Sequence, residues 1–383
     1  MLALEYRPSV PRYLATRAVR RLGSGALHLV EIDPPRLPDR DWVALRPRLS
    51  GICGSDQAVI EGRASLYLSS LTSAPFVPGH EIVATVTAGE ERGRRVVVEP
   101  ALGCCARAID PPCADCREGR RALCRAVTDG SLAAGLQIGF CRETGGGWSE
   151  GLVSHRSQLH VVPDDLDDED AVLVEPLACA LHAARRADLR PAASTAVIGA
   201  GTIGLLTIRA LRYRHPDATI AAIAKHRGQE LEARRAGADH VCAPGRLHLE
   251  GARITGARRL VGHGGRELLL GGFDAVLDCV GSGASVEAAV AAVRPRGAVV
   301  LVGMPERVSV DLAPAWLREV EIRGAYGYEG DFKEALELAR SIRPGRLVAH
   351  GFKLRDFRRA LDEARRARRA GRVKTVFDLR SSA

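Results

Sequence analysis

Thr195-Ala-Val-Ile-Gly-Ala-Gly-Thr-Ile-Gly204 is the stretch that decides the fold of this chain. An apolar strand runs into a glycine loop, and an apolar helix follows over residues 205–214. Glycines at this spacing allow a tight turn and let backbone N–H groups approach a pyrophosphate at a helix N-terminus. Because the loop lies between a strand and a helix, it predicts a dinucleotide-binding unit. The predicted cofactor-binding residues of this loop are Gly199, Gly201, Thr202, Ile203 and Gly204.

Strands and helices alternate after this loop. A second strand is predicted over 219–224 and a helix over 229–236, with later strands at 275–278, 298–302 and 321–323. Such alternation is typical of a parallel sheet covered on both faces by helices. Residues 244–272 are rich in Arg and Gly, and we expect a long surface excursion there.

The end of the second strand indicates which nicotinamide cofactor is used. An acidic residue at this position binds the ribose 2′-hydroxyl of NAD. Here the position is near Ala224, and Lys225, His226 and Arg227 follow it without a carboxylate. These potential cations would attract an adenosine 2′-phosphate. The sequence therefore predicts NADP(H) in preference to NAD(H), and the alternative is a solvated loop with relaxed specificity.

The first part of the chain, to about Pro176, has a different pattern. Short apolar runs at 42–46, 82–86 and 95–98 are interrupted by Gly and Pro, which predicts a compact β-rich domain. Residues 166–184 begin with four acidic residues, which suit a first helical turn. The apolar stretch after them is predicted to be a helix that links the two domains.

Two short motifs in the β-rich part predict an open zinc site. Gly51-Ile-Cys-Gly-Ser-Asp56 supplies the thiolate of Cys53, and Pro78-Gly-His-Glu81 supplies the imidazole of His80. Glu81 is either a ligand or a residue that supports the site from behind. A third protein ligand must come from elsewhere, and Glu175 in Val174-Glu-Pro-Leu-Ala178 is the candidate, with a helix-cap carboxylate as the alternative.

Two residues beside Cys53 are candidates for supporting chemistry. Asp56 can accept a hydrogen bond from the second nitrogen of His80, which would fix the tautomer that faces a metal. Ser55 offers a hydroxyl close to the reacting oxygen. Both are included among the predicted catalytic residues.

A cluster of cysteines predicts a second, closed metal site. Cys113, Cys116 and Cys124 have metal-ligand spacing, and the fourth ligand is either Cys104 or Cys105. We favour Cys104, because Gly103 frees the backbone to turn. Four thiolates leave no open position, so this metal would contribute stability and not chemistry. The alternative is four free thiols in a metal-free loop.

In this order, the motifs resemble the zinc-dependent medium-chain alcohol dehydrogenase family from Leu29 onward. The Glu-Pro pair at 175–176 is similar to its polyol-, glucose- and threonine-type members. The resemblance implies an α/β fold with two parts: a β-rich GroES-like catalytic domain over residues 1–176, and a doubly wound Rossmann domain over 177–327. It also implies that residues 328–383 return to the catalytic domain.

The resemblance further implies the activity. It implies hydride transfer between a nicotinamide cofactor and a secondary alcohol or polyol, or the matching ketone or aldehyde, with two zinc ions per chain. Ser55 would pass the alcohol proton outward. The relay histidine of many relatives is replaced by Ala58, so proton exit must use water or another group. Val302 and Gly303, with Met304, would border the nicotinamide, and residues 278–281 would lie near the cofactor.

Several finer points stay open at this stage. The substrate is alternatively an amino alcohol or a sugar-like biosynthetic intermediate, and a non-catalytic NADP-binding protein is a further alternative. Tyr67, Phe76 and Trp148 are candidate pocket walls, and residues 63–74 are a candidate lid. By resemblance the chain forms a homodimer or a homotetramer.

Composition limits the partners. The net charge is +9, but only four of the 55 basic residues are lysines, and the arginines are spread along the chain. The densest cluster, at 365–369, is predicted to be a solvated helix face, so we expect no nucleic-acid partner. No apolar run predicts a membrane span or a signal peptide, and we expect a cytoplasmic protein. The cysteines outside the two sites are predicted to be packing residues: Cys141, Cys179, Cys242 and Cys279.

Overall fold

The computed structural model describes residues 1–8, 26–303, 307–366 and 373–380. Met304 lies outside these ranges, as do Arg368 and Arg369 of the basic cluster. Two compact units are present. The first comprises Met1–Glu175, Tyr328–Ala367 and Lys374–Ala383, and the second comprises Pro176–Gly327 and Arg368–Val373.

The strands of the described ranges are numbered in chain order. They are β1 Leu2–Tyr6, β2 Leu27–Glu31, β3 Trp42–Gly51, β4 Ile82–Val86, β5 Arg95–Val98, β6 Leu152–His155, β7 Leu159–Val161, β8 Ser194–Ile198, β9 Thr219–Ile223, β10 His240–Cys242, β11 Arg258–Val261, β12 Glu267–Leu270, β13 Phe273–Asp278, β14 Val293–Leu301, β15 Glu321–Gly324, β16 Val348–Phe352 and β17 Lys374–Asp378.

The α-helices are numbered in the same way. They are α1 Gly54–Ile60, α2 Ala114–Arg117, α3 Asp168–Ala171, α4 Val174–Ala187, α5 Thr202–Arg214, α6 Arg227–Ala236, α7 Leu247–Thr255, α8 Gly283–Ala292, α9 Ala313–Leu317, α10 Phe332–Ile342 and α11 Phe357–Arg366.

The second unit is built on a six-stranded sheet in the order β10-β9-β8-β13-β14-β15. Every neighbouring pair in it is parallel. The chain proceeds outward from β8 in one direction and from β13 in the other, so the topological switch point lies between these two strands. Ligands of doubly wound sheets bind at the carboxyl ends of the strands beside such a point. The predicted Rossmann sheet is confirmed.

The first unit is β-rich, as predicted. Its seven-stranded sheet has the order β16-β17-β3-β4-β5-β7, and β6 pairs with β3. The last strand joins the sheet through antiparallel pairing of β17 with β3, with Val376 opposite Gly51. This pairing brings the residue at the start of β17, Lys374, beside the chain that leaves β3 toward Cys53.

Residues 244–272 differ from the predicted excursion. They contain α7 and an antiparallel hairpin of β11 and β12, with Arg258 opposite Leu270. Leu247 and Leu269 are buried in the core of the second unit. The sequence did not indicate this hairpin, because the two apolar residues of β11, Leu260 and Val261, both face solvent and lie among Arg and Gly residues.

The remaining expectations concern single residues. Cys141 is fully buried in the core of the first unit, whereas Cys179, Cys242 and Cys279 are partly buried. Arg365 and Arg366 are exposed on α11, as a solvated helix face requires. Of the helices described here, each is too short or too polar to cross a bilayer.

Candidate active site

Cys53 lies in the turn between β3 and α1. Its φ and ψ angles of −85° and 156° are extended, so it stands directly before the first helical turn. Its backbone N–H donates to Asp56 Oδ2 over 3.0 Å. A short acidic side chain in the first turn satisfies a backbone donor that the helix itself leaves without a partner. This bond fixes the position of Cys53 relative to Asp56.

The other oxygen of Asp56 faces His80. Asp56 Oδ1 lies 3.3 Å from His80 Nδ1, and both side chains are buried. Their orientation does not satisfy hydrogen-bond geometry, so the contact is mainly electrostatic. Burial by itself lowers the pKa of His80, but the interactions with Asp56 and Cys53 together outweigh burial, and this pKa is raised well above its ordinary value. The site therefore favours a cation on the imidazole.

Cys53, His80 and Glu81 come together as predicted. One ligand atom from each lies within 4.8 Å of the others. A thiol, an imidazole and a carboxylate are the donor types that zinc prefers. The buried Asp56 behind the imidazole is the kind of support that metal-binding histidines have. The residues present therefore fit a zinc ion.

Glu81 also has a second partner, Lys374, which the sequence analysis missed. Lys374 Nζ donates to Glu81 Oε1 over 2.5 Å and to Ile52 O over 3.2 Å, and it contacts Glu81 Oε2 as well. Burial by itself lowers the pKa of Lys374, but Glu81 and Cys53 outweigh burial and hold this pKa above its ordinary value. The carboxylate of Glu81 thus lies between a cation of the protein and the candidate metal position.

Gly51 provides the space for this ion pair. A Cβ atom at residue 51 would lie 1.8 Å from Glu81 Oε2 and 2.9 Å from Lys374 Cε. No side chain fits at that distance. Glycine is therefore required at position 51 because a side chain would collide with the ion pair, and not because the backbone needs flexibility there.

Glu175 is buried near the start of α4, but it is not part of the three-residue group. It lies close enough to Lys374 for its charge to raise the pKa of that ammonium group. The structure thus places Glu175 beside the ion pair, and its role as a direct ligand stays a prediction.

Ser55 and Ala58 lie on α1. Ser55 is half-buried two residues from Cys53, and Ala58 is 3% exposed. A buried alanine has no group that carries a proton. Position 58 therefore takes no part in proton transfer, as the sequence predicts.

The four-cysteine lobe is assembled around Cys104. Sulfur atoms of Cys104, Cys113, Cys116 and Cys124 all lie within 4.8 Å of one another. Cys105 is exposed, and its sulfur lies 4.0 Å from His155 Nε2 instead. The structure thus groups the cysteine that we favoured, because the backbone turns away immediately after it.

The sulfur atoms already accept backbone hydrogen bonds. Cys113 N–H donates to Cys104 Sγ over 3.3 Å, and Cys104 N–H donates to Cys116 Sγ over 3.4 Å. Burial raises the pKa of Cys116 and that of Cys124, the latter to about 11. Four sulfurs this close ionise together only around a cation. The lobe therefore fits a structural zinc ion.

Arg107 lies between Cys104 and Cys113 and packs inside the lobe. Its guanidinium is fully buried and donates to five backbone carbonyl groups at 2.7–3.2 Å. Cys105–Arg107 form a short 3₁₀ turn that brings Arg107 into the lobe. The carbonyl groups belong to Leu102, Asp129, Leu132, Ala133 and Gly135.

The glycine loop lies at the carboxyl end of β8, beside the switch point. Gly199 has φ +96°, and a Cβ at Gly204 would lie 1.8 Å from Gly199 O. Gly201 precedes α5, and a Cβ there would meet no atom within 4 Å. Thr202 Oγ1 donates to Val373 O over 3.1 Å, so its hydroxyl is partly engaged within the fold. Ile203 follows on the first turn of α5.

The residues after β9 lie at the carboxyl end of that strand. Ala224 is buried, Lys225 and Arg227 are exposed, and His226 precedes α6. Lys225 N–H donates to the side chain of Gln229 over 3.3 Å, which shapes the turn. At the end of β14, in the other half of the sheet, the N–H groups of Val302 and Gly303 both donate to Asp278 O over 2.9 Å. Both groups of residues therefore lie at carboxyl ends of sheet strands.

Two of the three candidate pocket walls are buried. Trp148 is fully buried and donates through Nε1 to Gly51 O over 3.2 Å. The prediction for Trp148 is wrong, because its indole supports the turn before Cys53 from inside the core. Phe76 is buried against Phe140, and Tyr67 is 89% exposed. Phe140 was missed, although its ring lies 5.9 Å from that of His80, because no ligand chemistry or spacing marks it.

Comparisons with known proteins agree with this geometry. The GroES-like domain of alcohol dehydrogenases matches residues 39–164, and the zinc-binding dehydrogenase model matches residues 202–341. Sorbitol dehydrogenase of Arabidopsis thaliana is 29% identical over 92% of this chain and 93% of its own. L-idonate 5-dehydrogenase of Vitis vinifera is 30% identical over 88% of each chain. The chain belongs to the zinc-dependent medium-chain alcohol dehydrogenase family.

As a medium-chain dehydrogenase, the protein is an oxidoreductase, and the predictions of family, fold and enzyme class are confirmed. The structure of acetophenone reductase from Geotrichum candidum, in complex with NAD, has the same fold, with a TM-score of 0.76 at 20% identity. The structural match spans 100% of this chain and 98% of the reductase chain.

Proposed function

We propose that this medium-chain dehydrogenase transfers a hydride between NADP(H), in preference to NAD(H), and a secondary alcohol or polyol, or the matching ketone or aldehyde. The observation that carries the proposal is the group of Cys53, His80 and Glu81 in a chain with a glycine loop at its sheet switch point. Two relatives are named for sorbitol and for L-idonate, and both of these compounds are polyhydroxylated. This favours a polyol.

Within this proposal, Cys53 and His80 hold the catalytic zinc, and Glu81 or Glu175 completes the set. When bound, zinc supplies Lewis-acid chemistry at the reacting oxygen. Asp56 orients the imidazole through its 3.3 Å contact with Nδ1. Ser55 takes the alcohol proton and passes it to water, since Ala58 has no group to receive it. A second zinc is proposed in the four-cysteine lobe.

The proposed cofactor preference rests on charge at the end of β9. Lys225, His226 and Arg227 follow the buried Ala224, and the first carboxylate after them is Glu230. Glu230 is paired with Arg234 at 3.2 Å. A 2′-phosphate would find cations here, whereas a ribose 2′-hydroxyl would find no carboxylate acceptor.

Self-association is proposed at the outer edge of the second unit's sheet. Strand β15 is an edge strand, and exposed strand edges are templates for pairing with another chain. Just before it in sequence, Trp316 is 82% exposed and Leu317 is 69% exposed, and Ile322 within it is 43% exposed. Light scattering after size-exclusion chromatography of Trp316→Glu should show a smaller assembly than that of the unsubstituted protein.

The cytoplasmic location stays a prediction.

The test combines metal analysis and cofactor titration on one purified sample. We expect two zinc ions per chain and tighter binding of NADPH than of NADH, followed by cofactor fluorescence. A screen of polyols and ketones with NADP(H) then identifies the substrate class. Equal affinity for the two cofactors contradicts the specificity proposal, and absence of both zinc and cofactor binding contradicts the proposed activity.

A further inference from the structure

Residues 136–140, which we call the strut, contact the four-cysteine lobe at one end. The side chain of Leu136 packs against the cluster that contains Cys104 and Cys124. Its carbonyl accepts from Leu102 N–H over 3.1 Å, two residues before Cys104. Ile138 N–H donates to Pro100 O over 2.9 Å. The strut is therefore fixed to the chain that enters the lobe.

The other end of the strut contacts the chain around His80. The Phe140 ring lies 5.9 Å from the His80 ring and is 8% exposed. A Cβ at Gly139 would lie 2.9 Å from the carbonyl oxygen of Gly79, which directly precedes His80. Backbone thus packs on backbone at this point, and a displacement of the strut must displace the residue beside His80.

The strut also holds the segment proposed as a lid. Leu136 N–H donates to Leu71 O over 3.0 Å, and Ser73 N–H donates to Phe140 O over 3.3 Å. Leu71 itself packs in the same cluster as the cysteines. Residues 71–73 are thereby attached to both ends of the strut.

We propose that the strut couples the four-cysteine lobe to the candidate active site, and that Phe140 is a positioning residue for His80. The inference rests on the proposed function only in taking Cys53 and His80 as the catalytic metal site. An ordered lobe holds Leu136, the strut holds Phe140 and Gly139, and these limit the movement of the His80 ring. Loss of order in the lobe therefore loosens a site whose own ligands are intact.

The test uses two variants within the strut and one matched control. Leu136→Ala removes the contact with the lobe, and Phe140→Leu removes the ring beside His80. Leu123→Ala is the control, because Leu123 is adjacent to Cys124 but 48% exposed. Zinc content confirms that the lobe of each variant remains loaded. The probe is Co²⁺ alone, titrated into protein from which the catalytic metal has been removed and followed by its thiolate charge-transfer absorption.

We expect about 10-fold weaker Co²⁺ binding in both strut variants. This is the lower end of the loss in metal affinity that follows when a residue supporting a metal-binding histidine is removed. Hydrogen exchange of the backbone at residues 78–82 should also be faster in Leu136→Ala than in Leu123→Ala. Unchanged Co²⁺ affinity and unchanged exchange in both strut variants overturn the coupling.

The two proposals fail in different ways. If the unsubstituted protein binds no Co²⁺ at Cys53, the proposed function fails. Faster exchange at 78–82 in Leu136→Ala still supports the strut in that case, and unchanged exchange overturns it. If Leu136→Ala loses zinc from the lobe, Phe140→Leu still tests the contact with His80, because Phe140 is not a member of the cluster around the cysteines.

Discussion

Lys374 Nζ lies 2.5 Å from Glu81 Oε1, although 293 residues separate them in sequence. Both side chains are almost fully buried, at 3% and 2% exposure. The pair therefore ties the last strand of the chain to the residue that follows His80. Because neither charge is solvated by bulk water, each is stabilised by its partner.

Removal of one member of this pair should destabilise the protein. Lys374→Met leaves the carboxylate of Glu81 buried without its cation, and we expect a loss of about 3–5 kcal/mol in the free energy of unfolding. Urea denaturation of protein freed of the catalytic metal measures this loss, because a metal ion beside Glu81 would itself neutralise the carboxylate. The double variant Lys374→Met with Glu81→Leu should recover much of it, because no unpaired charge remains. A double variant no more stable than Lys374→Met contradicts this account.

Arg107 should be essential to the stability of the cysteine lobe. Arg107→Met removes the donor to five backbone carbonyl groups, and three of these bonds are fully buried, so we expect about 3 kcal/mol or more of destabilisation. Arg117→Met is the matched control in the same lobe, since exposed Arg117 makes a single bond, to Pro112 O. Thermal unfolding compares the two variants. Equal melting temperatures would show that the lobe does not depend on the buried guanidinium.

Cofactor preference should change with the cations after β9. Lys225→Ala with Arg227→Ala removes two charged donors, and we expect at least about 10-fold weaker NADPH binding. NADH affinity should stay within about twofold, since no 2′-phosphate is involved. Arg234→Ala, at the far end of α6, is the control. Fluorescence titration measures both cofactors, and parallel losses for NADPH and NADH would assign these residues a general electrostatic role.

The pH dependence of stability should carry opposite contributions from two aspartates. Burial raises the pKa of Asp170, whereas the bond from Arg340 lowers the pKa of the exposed Asp165. A raised carboxyl pKa means that the folded state holds the proton more tightly, so stability falls as pH rises above about 4. A lowered pKa gives stability that is present above about pH 4 and is lost as pH falls.

Urea unfolding at about pH 2.5, pH 4 and pH 6.5 separates these contributions. Relative to Asp170→Asn, the unsubstituted protein should lose stability between about pH 4 and pH 6.5. Relative to Asp165→Asn, it should gain stability between about pH 2.5 and pH 4 and change little above that. The same sign of change for both variants would contradict the assignment.

Sequence patterns predicted what depends on local spacing. The glycine loop, Cys53 with Asp56, and the three closely spaced cysteines are each defined within a few residues, so short-range geometry constrains them. The alternation after residue 195 predicted the parallel sheet because helix and strand periods differ strongly. These features form the framework of both candidate sites.

Contacts between distant residues could not be predicted in this way. Lys374 reads as a polar residue in a strand, and only its rarity among 55 basic residues marks it. Trp148 was assigned to a pocket wall because an aromatic residue suits either a wall or a core, and the sequence does not distinguish them. Phe140 and Arg107 acquire their roles from tertiary packing, which no repeat or motif in the sequence predicts.

The five carbonyl bonds of Arg107 also bear on how the protein acquires its metal. The Arg107 guanidinium binds the loops around the four cysteines together. In many small zinc modules this structural role belongs to the ion itself. Zinc would then enter a cage that is already built, and its arrival would be a loading event after synthesis and not a condition of folding.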